Sequence, residues 1–334
     1  MGFSSIKGQD AALGFLRQAL DRGRIPSAYL FLGAHHIGKR TTALALAKAM
    51  NCRQPPEGAV AGESCDQCPS CRKIDEQMHP DVETVSPDGQ FIKIDQVRAI
   101  ADKLSLIPFE ARKRVVIVAQ AERMNLQSAN AFLKTLEEPP ADTLLVLCVE
   151  DASRLPETIV SRCVPVRFGL LDDALVGELL GTGEDWDEGV RRFAVSLAKG
   201  TLRPALKDKA PQWLKIRESM IQLMLGLHKP VFPQAVEDFN RWAGSEDWAF
   251  VLEWLETWFR DAAVLRDGGP AFAGERLINA DCLDRLQAFT ELMSLQRMHF
   301  CYEQVLETRA AIRLWNANKA LALESLWLGF RRAA

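Results

Sequence analysis

Residues 33–39 read Gly-Ala-His-His-Ile-Gly-Lys, the spacing G-x-x-x-x-G-K of a phosphate-binding loop. Backbone N–H groups of such a loop, at the start of a helix, wrap the phosphates of a nucleotide, and its lysine adds a positive charge. The context fits. Ala28–Gly33 is a short apolar strand, and Ala43, Leu44, Ala47 and Met50 recur at helical spacing after the lysine. A glycine-rich turn with a surface lysine would need neither flank. Gly33, Gly38, Lys39, Arg40 and Thr41 are the candidate nucleotide contacts.

Two parts of the ATPase chemistry are missing from this frame. The residue after the lysine should be Ser or Thr, whose hydroxyl holds Mg²⁺. Here it is Arg40, and a guanidinium has no lone pair to offer a metal. Its charge would instead suit the phosphate site itself. The second loss follows the apolar strand Arg114–Val118, which should end in Asp, often followed by Glu. It ends in Ala119-Gln120, and neither carries charge. With no metal anchor at either position, the expectation is no hydrolysis and weak or absent ATP binding.

Cys52, Cys65, Cys68 and Cys71 have the spacing C-x12-C-x2-C-x2-C in a turn-rich stretch after the loop's helix. Four thiolates so placed suit tetrahedral Zn²⁺ in a closed, structural site. Disulfides are disfavoured in a reducing compartment, and free thiols would not need this spacing. His79 lies near enough to substitute for one ligand, although His79-Pro80-Asp81 reads more simply as a turn. Cys148, Cys163, Cys282 and Cys301 sit among apolar residues and read as core thiols.

These groups need elements to hold them. The chain has 334 residues, 48% hydrophobic and 25% charged, as expected of a globular protein of two or three domains. A net charge of −3 argues against a dominant nucleic-acid footprint. No apolar run reaches the length of a membrane span and no signal peptide is visible, so the expected compartment is the cytoplasm, with no membrane partner. Strands at 28–33, 114–118 and 144–149 alternate with helices at 10–22, 39–51, 92–104 and 128–136. That alternation predicts an α/β fold with a parallel sheet covered on both faces. After Phe168 the strands stop. Short helices interrupted at Gly181, Gly183 and Gly189 follow, then a helical region from about 207. There Val251, Leu255, Trp258, Ala262 and Leu265 form a helical stripe, which points to core packing or a subunit interface. Pro230, Pro233 and Gly268-Gly269-Pro270 separate its helices.

Two runs, Asn130-Ala131-Phe132-Leu133-Lys134-Thr135-Leu136-Glu137-Glu138-Pro139-Pro140 and Leu155-Pro156-Glu157-Thr158-Ile159-Val160-Ser161-Arg162-Cys163, make the chain recognisable. With the cysteine loop and Asn316–Glu324 they resemble the bacterial DNA polymerase III clamp loader, an AAA+ assembly. The resemblance implies an AAA+ P-loop domain over 1–168 carrying a zinc loop at 52–71. It also implies a small helical lid over 169–206 and an all-α collar over 207–334. It makes Arg162 an arginine finger, reaching in trans into the ATP site of a neighbouring subunit, and Arg203, in Gly200-Thr201-Leu202-Arg203, a second-sensor residue. The gamma/tau motor of this family keeps the residues lost at 40, 119 and 120. The departures therefore point to the non-hydrolysing delta-prime branch. Implied partners are gamma/tau, delta, the sliding clamp and, through the assembled complex, primer-template DNA. Two other readings stay open: an active ATPase that recruits an acid from elsewhere, and a zinc-containing nucleic-acid-binding protein.

Overall fold

The computed structural model describes residues 2–58, 60–181, 186–228, 233–269 and 277–333. The expected breakers Gly183, Pro230 and Pro270 lie outside these residues. The chain divides into two compact units, Met1–Val176 with Lys199–Arg203, and Gly177–Ala198 with Pro204–Ala334.

The first unit is built on five parallel strands, β1 (Ala28–Leu32), β2 (Val82–Val85), β3 (Arg114–Val118), β4 (Thr143–Val149) and β5 (Val164–Arg167), in the order β2-β3-β4-β1-β5. The central strands β3 and β4 are buried along their whole length, which is why they read as unbroken apolar runs. Helices α1 (Asp10–Asp21), α2 (Lys39–Asn51), α3 (Pro69–Asp75), α4 (Ile94–Leu104), α5 (Leu126–Glu137) and α6 (Glu157–Val160) belong to the same unit. Strand residues alternate between two cores. Tyr29, Phe31, Val115, Ile117, Val146 and Cys148 pack with Leu13, Leu16 and Leu46. Leu30, Val116, Val118, Leu145 and Leu147 pack with Ile100, Phe132 and Leu136. Each fully buried Leu, Ile or Phe contributes about 1.5–3 kcal/mol.

β2 and β5 were not among the sequence-predicted strands. Each has four residues and lies at an edge of the sheet. Short edge strands carry little periodicity, and Pro165 in β5 is tolerated because a sheet edge leaves its missing N–H unneeded. Residue 92 also falls outside its expected helix. Ile92 bridges Met124, and Lys93, just before α4, donates its backbone N–H to Gln96 Oε1 at 2.9 Å. The segment between α4 and β3 is held by the buried carboxylate of Asp81, just before β2, which accepts backbone N–H bonds from Phe109, Glu110 and Ala111 at 2.9, 2.8 and 2.9 Å. Burial acts to raise its pKa, but these three donors and Arg114 outweigh it and hold the group below the usual carboxylate value.

The second unit is helical: α7 (Asp173–Gly181) enters it, followed by α8 (Glu188–Ala198), α9 (Pro204–Leu225), α10 (Pro233–Gly244), α11 (Trp248–Gly268), α12 (Leu283–Leu292), α13 (Leu295–Trp315) and α14 (Lys319–Ala333). The α11 stripe is core: Val251, Leu255, Trp258, Ala262 and Leu265 are all buried, and Trp254 stacks on Trp258 at 5.0 Å. Among the described residues, no helix is long and apolar enough to cross a membrane.

Candidate functional site

The loop between β1 and α2 takes the shape its glycines allow. Gly33 and Gly38 have φ of 148° and 98°, which L-residues with a side chain rarely adopt. A Cβ at Gly33 would also lie 2.6 Å from the Phe168 carbonyl oxygen. The pairing Leu32↔Val149 continues into a bond from Gly33 N–H to the Val149 carbonyl at 3.2 Å. The loop is thereby fastened beside the end of β4.

Lys39 is buried and folds back on the loop, its amine donating to the carbonyls of Gly33 and, at 2.6 Å, Ala34. Burial lowers its pKa below the ordinary lysine value, while Cys148, Glu122 and Glu150 work in the opposite direction. Arg40 is exposed and turned away. Its guanidinium donates to Gln77 Oε1 at 2.9 Å, beyond the end of α3. Thr41 is exposed, whereas Thr42 is buried and bonds back to the Gly38 carbonyl at 2.9 Å. Ala119 and Gln120 follow β3, and Gln120 adopts a left-handed backbone, φ 55°.

Arg203 comes to this loop from far along the chain. Leu202 N–H donates to the His36 carbonyl at 2.8 Å, and Leu171 N–H to the Gly200 carbonyl at 2.9 Å. His36 is held below the usual histidine value by desolvation first, then by the charges of His35, Arg203 and Lys39.

Three further side chains converge here that sequence reasoning missed as a group. His35 Nε2 lies 3.7 Å from Glu122 Oε1 and 3.4 Å from Glu150 Oε2. Glu122 follows β3 by four residues and Glu150 follows β4 by one. Their legible signal was position: acids just past the carboxyl ends of adjacent parallel strands face the crevice where such sheets bind ligands.

Arg162 sits in the turn between α6 and β5, with its side chain 36% exposed. It donates to the Thr158 carbonyl at 2.8 Å and pairs with Glu137 Oε1 at 2.7 Å. The two most distinctive sequence runs thus meet through one ion pair.

The four cysteines of the loop after α2 also meet. Cys52 Sγ is 3.5 Å from Cys65 Sγ, Cys65 Sγ is 4.0 Å from Cys71 Sγ, and all four sulfurs lie within 4.8 Å of one another. Sulfurs around one zinc, with bonds of about 2.3 Å, stand roughly 3.8 Å apart, whereas a disulfide needs about 2.05 Å. The donor set therefore fits Zn²⁺, and all eight cysteines are unbridged. At Cys68, burial raises the pKa, but the N–H groups of Cys71 and Arg53 and the neighbouring thiols outweigh it and bring it to about 6. Lys48, 1% exposed, ties α2 to this loop through Asp66 and to α3 through Asp75 at 2.7 Å. His79 stays outside the cluster. Its Nδ1 accepts the Asp81 N–H at 3.1 Å within the turn read from the sequence. Cys148, Cys163, Cys282 and Cys301 are buried, and burial pushes each thiol up to about 12.

Known proteins resemble this chain over most of its length. The family described as DNA polymerase III, delta subunit, matches residues 8–172, and its C-terminal counterpart matches 211–332. The delta-prime subunit of Bacillus subtilis DNA polymerase III is 32% identical over 221 residues, 66% of this chain and 65% of that protein. The gamma subunit of Buchnera aphidicola from Acyrthosiphon pisum is 32% identical over 210 residues, 61% of this chain and 56% of that protein. The aligned stretch thus spans less than two thirds of each of these relatives. A gamma-subunit-related protein of Thermotoga maritima has a similar structure at TM-score 0.49 and 20% identity, over 96% of this chain and 99% of that one. The five-stranded parallel sheet with the Gly33–Lys39 loop after β1 is the α/β arrangement expected from the sequence. On its two matched segments the chain belongs to the DNA polymerase III delta-subunit family, and its relatives include delta-prime and gamma subunits of that polymerase.

Proposed function

We propose that this chain is the non-hydrolysing member of a clamp-loader ring and that it serves a neighbour's ATP site with Arg162. The observation that carries the reading is the state of its own phosphate-binding loop. Position 40 is an arginine bonded to Gln77, positions 119 and 120 are uncharged, and Lys39 spends its N–H bonds on loop carbonyls. Arg162 is by contrast one-third exposed, and it is held by an ion pair that a stronger anion would displace. A finger in trans acts on charge spread over the γ-phosphoryl oxygens. It is worth about 10³–10⁵ in rate, roughly 4–7 kcal/mol of barrier.

In this reading the domain over 1–168 presents the finger, 169–206 is the lid and 207–334 holds the ring. Gly33, Gly38, Lys39, Arg40, Thr41 and Arg203 form a vestigial pocket, with Arg203 brought to it by the Leu202–His36 bond. Cys52, Cys65, Cys68 and Cys71 would hold a structural zinc, which supplies a cross-link and no catalysis. ATP binding by gamma/tau motors, with delta in the ring, would open the sliding clamp and let it encircle primed DNA. The test is a complex reconstituted from this chain, gamma/tau and delta, carrying Arg162→Ala. Clamp-dependent hydrolysis and loading should fall while assembly and ATP binding persist, since the finger favours the transition state over bound nucleotide. Unaltered rates in a fully assembled complex would leave this subunit a structural role alone.

One observation favours the second reading, an active ATPase. Glu122 and Glu150 are acids recruited to the loop from outside the usual motif. Turnover by the isolated chain that Lys39→Ala abolishes would decide for it.

A further inference from the structure

We propose that His35, Glu122 and Glu150 form a binding site for one divalent first-row cation, taken up without nucleotide. The site uses none of positions 40, 119 and 120. Its three donors come from the loop after β1, the turn after β3 and the end of β4, and the strand order β3-β4-β1 makes those ends neighbours.

The spacing is that of ligands around one ion. A cation with bonds of about 2.0–2.1 Å holds adjacent donors roughly 3.3 Å apart in a tetrahedron. His35 Nε2 stands 3.4 Å from Glu150 Oε2 and 3.7 Å from Glu122 Oε1, and the three donor atoms lie within 4.8 Å of one another. These separations are long for direct hydrogen bonds.

Burial supplies the second argument. The Glu122 side chain is 5% exposed, and its Oε2 is buried with no hydrogen-bond partner. A carboxylate oxygen withdrawn from water and left unpaired is costly. A cation gives that carboxylate the partner the protein does not. The nearby positive groups compete only in part. Lys39 directs its N–H groups at the Gly33 and Ala34 carbonyls, and Arg154 reaches Glu150 Oε2 at 3.7 Å with a side chain 61% exposed. One imidazole with two carboxylates is a borderline-hard donor set, suited to Mn²⁺, Fe²⁺ or Zn²⁺, and it leaves a coordination position for water.

The test titrates Mn²⁺ into the purified full-length chain with no nucleotide, following the loss of the free-ion electron paramagnetic resonance signal. Mn²⁺ is chosen because four thiolates favour softer ions. One Mn²⁺ should bind per chain. Glu122→Gln and His35→Ala should each weaken binding by about tenfold or more, at least the loss seen when a ligand's supporting group is removed. Glu150→Gln should weaken it too; that carboxylate is 37% exposed, so this variant keeps the comparison valid if Glu122→Gln unfolds. Asp95→Asn, at a remote carboxylate 85% exposed, should change nothing. Absence of saturable binding, or binding indifferent to His35→Ala and Glu150→Gln, would overturn the site. So would binding lost only in Cys68→Ser. Because neither nucleotide nor partner subunits are present, such a failure leaves the role of Arg162 untouched.

Discussion

Arg162 and Glu137 are held 2.7 Å apart with about a third and a half of their side chains in solvent. An ion pair this exposed contributes about 0–1 kcal/mol to folding. Arg162→Ala should therefore leave the unfolding free energy of the isolated chain within about 1 kcal/mol of the parent, as denaturant titration would read. Its cost should fall on the reconstituted complex, up to about 10³-fold at the single interface it serves. A large loss of stability would mean the pair is a fold element instead. His79 makes the opposite case, a titratable group whose effect is on folding. Its side chain is fully buried, and burial, against the pull of Glu110 and Asp81, keeps its pKa below 6.5. The unfolded chain protonates this imidazole near pH 6.5 and the folded chain does so only lower, so between those values the unfolded state binds more protons. Stability should fall as pH drops from neutrality through 6.5, and His79→Gln should flatten that slope. Parallel slopes in urea titrations across pH would rule His79 out.

At the scale of elements, the described residues of the loop from α2 to α3 form no strand or helix, and the cysteine cluster is a core of their own. Lys48, 1% exposed, ties this loop to α2 through Asp66. The purified, reduced chain should carry one zinc. Cys68→Ser should lose it and lower the melting temperature, by about 2–4 °C for each kcal/mol of stability lost. Zinc-free protein from a chelator-free preparation would contradict this. The sheet shows why a neighbouring element matters to the pocket. Register between β1 and β4 puts Val149 beside Leu32, and so Glu150 beside the loop that starts at Gly33.

For the whole molecule, the proposed reading is of a nucleotide-machine frame with Arg40, Ala119 and Gln120 at the positions where a motor would anchor its metal. The isolated chain should show no ATPase activity above background and weak or absent Mg·ATP binding. Steady-state phosphate release and nucleotide titration of the chain alone would check it. Turnover sensitive to Lys39→Ala would make the chain a motor. Cation binding at His35, Glu122 and Glu150 without turnover is compatible with the non-hydrolysing reading, since these donors stand at other positions than those of the motor's metal.

The sequence alone determined whatever depends on local order. A buried strand must be apolar throughout, so β1, β3 and β4 were legible; a helix before two prolines must stop, so the end of α5 was legible. The turn at Gly33 and Gly38 and the clustering of the four cysteines were legible because those residues lie close in the chain. The tertiary structure decided what depends on pairing between distant segments. Four-residue edge strands such as β2 and β5 are specified by their neighbours more than by their own pattern. Arg40 turning to Gln77, Leu202 bonding to His36 and Arg162 meeting Glu137 join residues 25 to 166 positions apart. The acids missing at 119 and 120 were sought along one strand. Glu122 and Glu150 reach the same loop because parallel strands β3, β4 and β1 end side by side, and which strands are neighbours is a property of the sheet.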